Sequence, residues 1–245
     1  MCESVLVIKS INLKFIFACR FPDAIDTKWP SREDFKCFAM NRTNIFFDRV
    51  DAKGLEGMWR TLKRRKPYMA HEHPSTMYAL ACYVGNKYGS DKTFEIFESS
   101  GEVLGQEMRE TISRNLNCEV INRYGLAELG VMAYELDGHI GGLQVIDSEG
   151  FAESMLIGDS KIEEELIFTG FRNRLMPLIR YRTFDSASVD ETDDGYVLNN
   201  LVGRIHDLVT INGVEHTTHY IQDVLDYRVG GIQEFQIDLR TTPPT

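Results

Sequence analysis

The chain has 245 residues, of which 43% are hydrophobic and 26% charged, enough apolar material for one large domain or two smaller ones with their own cores. Its net charge of -10 and isoelectric point near 5.1 argue against a nucleic acid or an anionic membrane as the main partner. Phosphate backbones are bound by an excess of lysine and arginine, so any phosphate contact is expected to be local.

The cysteines and the apolar start of the chain indicate a cytoplasmic protein. The five cysteines are odd in number and include no CxxC pair, which argues against a disulfide framework and against a zinc ribbon. Apolar runs occur near the start, but Lys9, Lys14 and Arg20 interrupt them. Neither a signal peptide nor a membrane span is therefore expected.

The first part of the chain is predicted to consist of an N-terminal lead without an assigned role, followed by a helix. Residues 1–50 contain apolar runs without a recurring period, which is typical of strands and loops. Leu55, Met58, Trp59 and Leu62 then recur at helical spacing, so we expect a helix over residues 54–66 that ends before Pro67.

Helices and strands alternate in the next part of the chain. A second helix is predicted to start at His73-Pro74-Ser75 and to end in a turn over residues 85–89. Strand, helix and strand patterns follow, over residues 93–98, 103–116 and 118–122. This alternation predicts parallel strands linked by crossover helices.

After Val131 the predicted helices stop and the chain becomes rich in β-strands. Strand patterns cover residues 131–134, 142–146, 164–169 and 196–198, separated by glycine and aspartate turns. Beyond Asp207 we expect a strand over 208–211, a turn at Asn212-Gly213, a helix over 218–227 and a strand over 232–239. The predicted organisation is a lead (1–50), a partial nucleotide- and acyl-binding domain (51–206) and an incomplete small domain (207–245).

Three short segments in this order offer three ways of holding an adenine nucleotide. The first pairs an aromatic ring with a glycine, the second ends in a carboxylate that can accept both ribose hydroxyls, and the third contains an arginine for a phosphate. They are Tyr124-Gly125-Leu126-Ala127-Glu128, Tyr181-Arg182-Thr183-Phe184-Asp185 and Gly203-Arg204-Ile205-His206-Asp207.

Each of these residues also has a structural interpretation when it is taken alone. Tyr124 has the character of a half-buried strand aromatic. Glu128 fits a carboxylate in the first turn of a helix, where the dipole favours it. Asp185 and Asp207 are also common turn residues.

Five segments in this order resemble successive motifs of phenylacetate-coenzyme A ligase and, more broadly, the capsule-biosynthesis branch of the adenylate-forming enzymes. The match runs from about residue 51 to about residue 239, and five motifs in one order are specific where each alone is common. Besides the three segments above, they are residues 62–67 with His73-Pro74-Ser75, and Ser99-Ser100-Gly101-Glu102-Val103-Leu104, while Met176-Pro177-Leu178-Ile179-Arg180 extends the second segment.

The resemblance implies an α/β fold, a partial adenylate-forming fold. A mixed βα body would be followed by a β-rich subdomain and a truncated small α+β C-terminal domain. It also implies that the loop Ser100-Gly101-Glu102 lines the adenine pocket, where small residues let backbone approach a flat ring. Tyr124 would stack on the adenine, and Gly125 would leave room beside it.

The resemblance further implies which residues hold the phosphates and the metal. Glu128 would hold the Mg²⁺ that bridges the ATP phosphates. Asp185 would accept hydrogen bonds from both ribose hydroxyls. Arg204 would contact the ribose or the α-phosphate and offset charge in the transition state. Asp207 matches the hinge about which the small domain rotates.

The implied reaction has two steps and a defined set of small partners. A carboxylic acid attacks the α-phosphorus of ATP to give an acyl-adenylate, and coenzyme A then displaces AMP. The family's acyl pocket is lined near the positions of His73, Pro74 and Tyr78. The implied cofactors are ATP or AMP, Mg²⁺ and coenzyme A, without nucleic acid or membrane.

The chain departs from the family at several positions. No Ser/Thr/Gly-rich phosphate loop occurs in residues 1–98, and no lysine follows Lys161, although the family carries a late catalytic lysine. Ala127 replaces a hydroxyl residue and Phe184 replaces the glycine before the ribose-binding aspartate. Two hypotheses follow: a partial ligase that needs further residues, a partner chain or a second copy, or a degenerate remnant that serves as a nucleotide- and acyl-binding or interaction module.

Overall fold

The computed structural model describes residues 15–19, 32–46, 50–136, 141–156, 164–204, 208–211 and 214–217. The helices in these ranges are α1 (Arg32–Ala39), α2 (Ala52–Arg65), α3 (Pro74–Tyr88) and α4 (Gln106–Leu116). The strands are β1 (Phe15–Cys19), β2 (Arg42–Phe46), β3 (Met69–Glu72), β4 (Ile96–Ser99), β5 (Glu119–Leu126), β6 (Gly130–Glu135), β7 (Leu143–Val145), β8 (Gly150–Leu156), β9 (Glu164–Gly170), β10 (Tyr181–Thr192), β11 (Gly195–Arg204), β12 (Leu208–Ile211) and β13 (Val214–Thr217).

Eleven strands form one sheet in the order β2-β1-β3-β4-β5-β6-β7-β11-β10-β9-β8. All pairs from β2 to β5 are parallel, and all pairs from β5 to β8 are antiparallel. The predicted mixed βα body followed by a β-rich part is therefore confirmed. Strands β12 and β13 form a separate antiparallel pair.

Helix α2 follows the predicted pattern closely. Its four periodic apolar residues are all buried. Asp51 caps the N-terminus by accepting hydrogen bonds from the backbone N–H groups of Lys53 and Gly54. The helix ends at Lys66, which has a left-handed backbone with φ 47, directly before Pro67 as expected.

Helices α3 and α4 are the crossovers that connect β3, β4 and β5. They pack against the face of the sheet that carries Ala70, Phe97 and Val120, which are adjacent in the strand register. The predicted turn over residues 85–89 is wrong, because α3 continues to Tyr88. Gly85 instead allows α3 and α4 to approach, since a Cβ there would lie 2.3 Å from Nδ2 of Asn115.

The antiparallel half has its own core, formed by residues such as Met132, Leu166, Phe168 and Leu198. Strands β8 and β10 had no counterpart among the predicted strands. Strand β10 is irregular, because its register with β9 shifts between Arg182 and Ser186, and such an irregularity breaks the alternation that predicts a strand. The helix predicted over 218–227, the strand over 232–239 and the turn at 212–213 lie outside the described residues.

Strand β1 pairs with both β2 and β3, so the two described strands of residues 1–50 belong to the same sheet as the body. The domain boundaries near residues 51 and 207 stay predictions. Among the described helices, none has the length and apolar character needed to cross a membrane.

Candidate functional site

The structure brings Tyr124 and Asp185 into direct contact. The Tyr124 hydroxyl on β5 donates a hydrogen bond of 2.5 Å to Oδ2 of Asp185 on β10, and both residues are buried, with 8% and 6% of their surface exposed. Three strands separate β5 from β10 in the sheet, a distance of roughly 19 Å at about 4.8 Å per strand. The antiparallel half must therefore curl to let these side chains meet.

The third predicted segment reaches the same place through the backbone. Arg204 lies directly opposite Asp185 in the register of β10 and β11, which places the two Cα atoms about 5 Å apart. A Cβ on Gly203 would lie 3.6 Å from Cγ2 of Val103, so the loop after β4 also approaches this point. All three segments thus converge, while the Arg204 side chain and all of Asp207 lie outside the described part.

A buried carboxylate holds the segment that presents Asp185. Glu165 on β9 is fully buried. Its carboxylate accepts hydrogen bonds from Nε and Nη2 of Arg182, at 2.5–3.1 Å, and from the backbone N–H of Phe184 at 3.3 Å. In the register of β9 and β10, residues 183–185 oppose Leu166 alone. The Glu165 carboxylate therefore contacts the residue before this bulge and the middle residue of the bulge, which ends at Asp185.

Phe184 adopts a left-handed backbone within this bulge, with φ 59. This conformation costs a residue with a Cβ roughly 1–2 kcal/mol and costs glycine almost nothing. The Phe184 ring is 38% exposed and has the Arg182 guanidinium 5.1 Å from its centroid. The left-handed backbone of Phe184 therefore leaves strain beside Asp185.

We expect the Phe184→Gly variant to be more stable than the Phe184→Ala variant by about 1 kcal/mol, because only glycine is unstrained at positive φ. In helices and strands the order is the opposite. Both variants lack the ring, so the comparison isolates the backbone effect. Urea unfolding of the two proteins measures it, and an alanine variant at least as stable as the glycine variant would contradict the left-handed conformation.

The predicted adenine loop and the predicted acyl-side residues meet at one junction. Gly101 has φ +88, and a Cβ there would lie 2.4 Å from Cε1 of His73, so the imidazole packs directly on the Gly101 backbone. Oε2 of Glu102 accepts a hydrogen bond from the backbone N–H of Ser75 at 3.2 Å. The junction therefore joins the start of α3, which His73 and Pro74 form, to the loop after β4.

Tyr78 lies one turn further along α3 and has different neighbours. It packs against the core between the helices and the sheet. Burial, followed by a hydrogen bond with Cys82, raises the pKa of its hydroxyl. The contacts of Tyr78 are thus to the helix core, and its role in acid binding stays a prediction.

A buried network of polar side chains lies on the opposite face of β3, β4 and β5. Glu98 accepts from the Tyr134 hydroxyl at 2.6 Å and lies 2.7 Å from Nδ1 of His71 and 3.2 Å from Nη1 of Arg123. Burial acts to raise the pKa of Glu98, but His71, Tyr134 and Arg123 together hold it below its usual value. Nη2 of Arg123 also donates to Oγ of Ser100 at 3.0 Å, which ties this network to the predicted adenine loop.

The predicted metal ligand Glu128 is exposed in the turn between β5 and β6. Within the described ranges, no group of three metal-ligating side chains occurs. A single carboxylate fits Mg²⁺ only together with phosphate oxygens and water, and the assignment stays a prediction. Gly125 has a local structural reason, since a Cβ there would lie 2.5 Å from the carbonyl oxygen of Gly130 across the hairpin.

Glu72, at the end of β3, is a buried carboxyl that the motifs did not indicate. Its Oε1 accepts a hydrogen bond from the backbone N–H of His73 at 2.8 Å. Burial nevertheless raises the pKa of the Glu72 carboxyl from 4.5 to about 7. The group therefore titrates near neutral pH.

We expect this raised pKa to make folding depend on pH. The folded carboxyl keeps its proton up to about pH 7, whereas the unfolded chain loses it near pH 4.5, so stability falls as the pH rises between these values and is then constant. The Glu72→Gln variant lacks this ionisable group. Between pH 5 and pH 8 the free energy of unfolding of the wild type should therefore fall by about 2 kcal/mol more than that of the variant, at about 1.4 kcal/mol per pKa unit. Urea unfolding across this range tests the expectation, which parallel stability curves would contradict.

Comparison with known proteins places this geometry in a recognisable fold. No protein-family model and no curated protein matches the chain. Among solved structures, a 2-hydroxyisobutyryl-CoA ligase in complex with R3-HIB-AMP superposes with a TM-score of 0.63 at 15% identity, covering 86% of this chain and 48% of the ligase. The anthranilate CoA ligase AuaEII in complex with anthranoyl-AMP gives 0.57 at 16% identity, covering 87% and 43%.

A coronafacic acid ligase from Pectobacterium brasiliense gives a TM-score of 0.53 at 15% identity, covering 86% of this chain and 43% of the ligase. The chain thus has part of the adenylate-forming fold of acyl-CoA ligases. It spans about half the length of the solved structures that it matches.

Proposed function

We propose that this chain binds an adenine nucleotide at Tyr124, Asp185 and Arg204 and takes part in AMP-forming ligation of a carboxylic acid to coenzyme A. The observation that supports it most is the convergence of three distant segments, with Tyr124 bonded to Asp185 and Arg204 opposite Asp185. The solved 2-hydroxyisobutyryl-CoA ligase and anthranilate CoA ligase carry acyl-AMP molecules, and a further structure of the first also holds CoA. The ordered motifs favour the phenylacetate-CoA ligase and capsule-biosynthesis branch.

Asp185 is proposed to hold the ribose. An ionised carboxylate offers about four lone-pair positions on two oxygens, so accepting from the Tyr124 hydroxyl is compatible with accepting from the ribose hydroxyls as well. The Tyr124 ring is 8% exposed and faces mostly protein. We therefore assign Tyr124 first to orienting the Asp185 carboxylate, with adenine stacking limited to the exposed part of the ring.

The remaining predicted residues complete the proposed site. Arg204 would place a fixed positive charge near the α-phosphate. Glu128 would hold Mg²⁺, which supplies charge neutralisation on the phosphates when it is bound. The Ser100-Gly101-Glu102 loop, held by Arg123 and His73, would form the wall between the adenine and the acid. Asp207 is proposed as the hinge for the small domain.

A second candidate function is a nucleotide- and acyl-binding module that does not form an adenylate. The observation that favours it is Phe184, a bulky residue in a left-handed conformation directly before Asp185. A bulky ring at this position would leave less room for a ribose to reach the Asp185 carboxylate. Binding of AMP is common to both candidates, and catalysis separates them.

Isothermal titration calorimetry of the purified full chain with AMP and with ATP tests the shared part of the proposal. We expect binding at millimolar ligand or below, and no heat of binding from either nucleotide would overturn the proposal. ATP–pyrophosphate exchange with a panel of carboxylic acids then separates the candidates. Exchange above the background of an Asp185→Asn variant supports the ligase, whereas nucleotide binding without exchange supports the binding module.

A further inference from the structure

Two buried polar atoms at the ends of β3 and β4 have no hydrogen-bond partner among the residues that the structure describes. They are Oε2 of Glu72 and Oγ of Ser99. The two residues are 4% and 0% exposed. Leaving such a group without a partner costs about 1–3 kcal/mol, so the pair requires an explanation beyond packing.

The strand register places these two residues side by side on one face of the sheet. Glu72 is the register partner of Ser99 in the parallel pair of β3 and β4. Two residues earlier on the same face, Ala70 pairs with Phe97, and both belong to the apolar core. Glu72 and Ser99 thus mark the point at which this face changes from apolar to polar.

This point lies at the carboxyl ends of parallel strands, where α/β sheets bind their ligands. It also adjoins the junction described above. The Glu72 carboxyl bonds the backbone N–H of His73 at the start of α3, and its carbonyl oxygen accepts from the backbone N–H of Ser100 at 3.4 Å. The pair is therefore continuous with both the predicted acyl side and the predicted adenine loop.

We propose that Glu72 and Ser99 form a subsite for a hydrogen-bonding substituent, a hydroxyl or an amino group, on the carboxylic acid that this chain binds. The inference rests on the proposed function, because it names the class of acid taken by the same site. The preferred acids are hydroxy or amino acids rather than purely hydrocarbon ones. Their carboxylate would point away from this pair, toward the nucleotide.

The two side chains can satisfy either substituent. A protonated Glu72 donates a hydrogen bond to a hydroxyl oxygen, and an ionised Glu72 accepts from an ammonium group and neutralises it. The pKa of about 7 makes both forms accessible near neutral pH. The Ser99 hydroxyl is both a donor and an acceptor. A site built to hydrogen-bond a substituent rejects an acid that lacks it, because its own polar groups then stay unpaired.

Calorimetry with matched acids on the AMP-loaded full chain tests the subsite. One series is isobutyrate, 2-hydroxyisobutyrate and 2-aminoisobutyrate, and the other is benzoate, 2-hydroxybenzoate and 2-aminobenzoate. In at least one series we expect the substituted acids to bind roughly tenfold more tightly than the parent, which corresponds to one hydrogen bond of about 1.4 kcal/mol. The Ser99→Ala and Glu72→Gln variants should reduce this preference to about twofold.

Two controls keep the result interpretable. Ser113→Ala removes a hydroxyl that is already bonded to the Cys118 carbonyl and should leave the preference intact. Thermal unfolding of each variant shows whether it folds. As an independent signal, the ¹³C resonance of the Glu72 carboxyl should report a lower pKa when 2-aminoisobutyrate binds, because its ammonium group favours the ionised form.

Failure of this inference differs from failure of the proposed function. A wild type that binds AMP but shows no preference in either series, or that keeps its preference in both variants, overturns the subsite alone. The same result follows if AMP binds and no acid of either series binds at millimolar concentration. A wild type that does not bind AMP overturns the proposed function, and the inference that rests on it also fails.

Discussion

The Asp185→Asn variant is expected to bind AMP roughly 100-fold more weakly than the wild type. Two hydrogen bonds from ribose hydroxyls to a charged acceptor contribute about 1.5–3 kcal/mol each, and an amide oxygen recovers only part of that. The fold should be preserved, because the asparagine side-chain oxygen still accepts from the Tyr124 hydroxyl. Calorimetric titration with AMP measures the change.

Asp190→Asn is the matched control for this prediction. Asp190 lies on the same strand, is exposed and accepts a hydrogen bond from Asn199, so the substitution changes the net charge equally without touching the proposed site. We expect the affinity of this control for AMP to stay within about twofold of the wild type. Equal losses in both variants would mean that overall charge, and not ribose binding, governs the affinity.

The parts of the fold that could be predicted from the sequence depend on local periodicity. Helix α2 shows its apolar stripe, its Asp51 cap and the following Pro67 within residues 51–67, and each of these signals acts locally. Strand β10 gives no such signal, since its bulge exists only in relation to Glu165 on the neighbouring strand. Gly85 was interpreted as part of a turn, but it lies within α3 and allows a close contact with Asn115 on α4.

The candidate site divides in the same way. The motif residues Tyr124, Asp185 and Arg204 were readable because their order along the chain resembles a known family. The residue that holds the Asp185 segment in place was not, because a carboxylate such as Glu165 looks like any other acidic residue until its partners are known. The one local signal for Glu165 is its place directly before the apolar run Leu166-Ile167-Phe168 of β9, since a buried carboxylate requires a paired charge.

The pairing of these residues explains how a strained loop keeps a fixed position. Other contacts offset the cost of the left-handed backbone of Phe184. The Glu165 carboxylate supplies them through Arg182, which precedes the bulge, and through the backbone N–H of Phe184 itself. Arg182, whose pKa the Glu165 carboxylate raises, lies over the Phe184 ring. Asp185 is therefore oriented from one side by Tyr124 and from the other by the Glu165 bulge.

This arrangement makes Glu165 a polar residue whose loss should lower the stability substantially. In the Glu165→Gln variant, a neutral amide replaces the buried carboxylate. The charge-assisted hydrogen bonds from Arg182 are lost, and the backbone N–H of Phe184 faces a weaker acceptor. We expect the free energy of unfolding to fall by about 2–3 kcal/mol, since hydrogen bonds to charged groups contribute about 1.5–3 kcal/mol each. Urea unfolding measures this fall.

If Glu165 positions Asp185, the same variant should also bind AMP about tenfold more weakly, although the carboxylate at position 165 touches no nucleotide in the proposed site.

Glu153→Gln is the matched control, because Glu153 pairs with Arg180 at 3.3 Å on the same half of the protein but is 30% exposed. An exposed pair contributes about 0–1 kcal/mol, and this control should keep its AMP affinity. Glu165→Asp, which retains the charge on a shorter side chain, should recover part of both losses. A Glu165→Gln protein as stable as the control and equal to it in AMP affinity would show that the bulge holds Asp185 without this carboxylate.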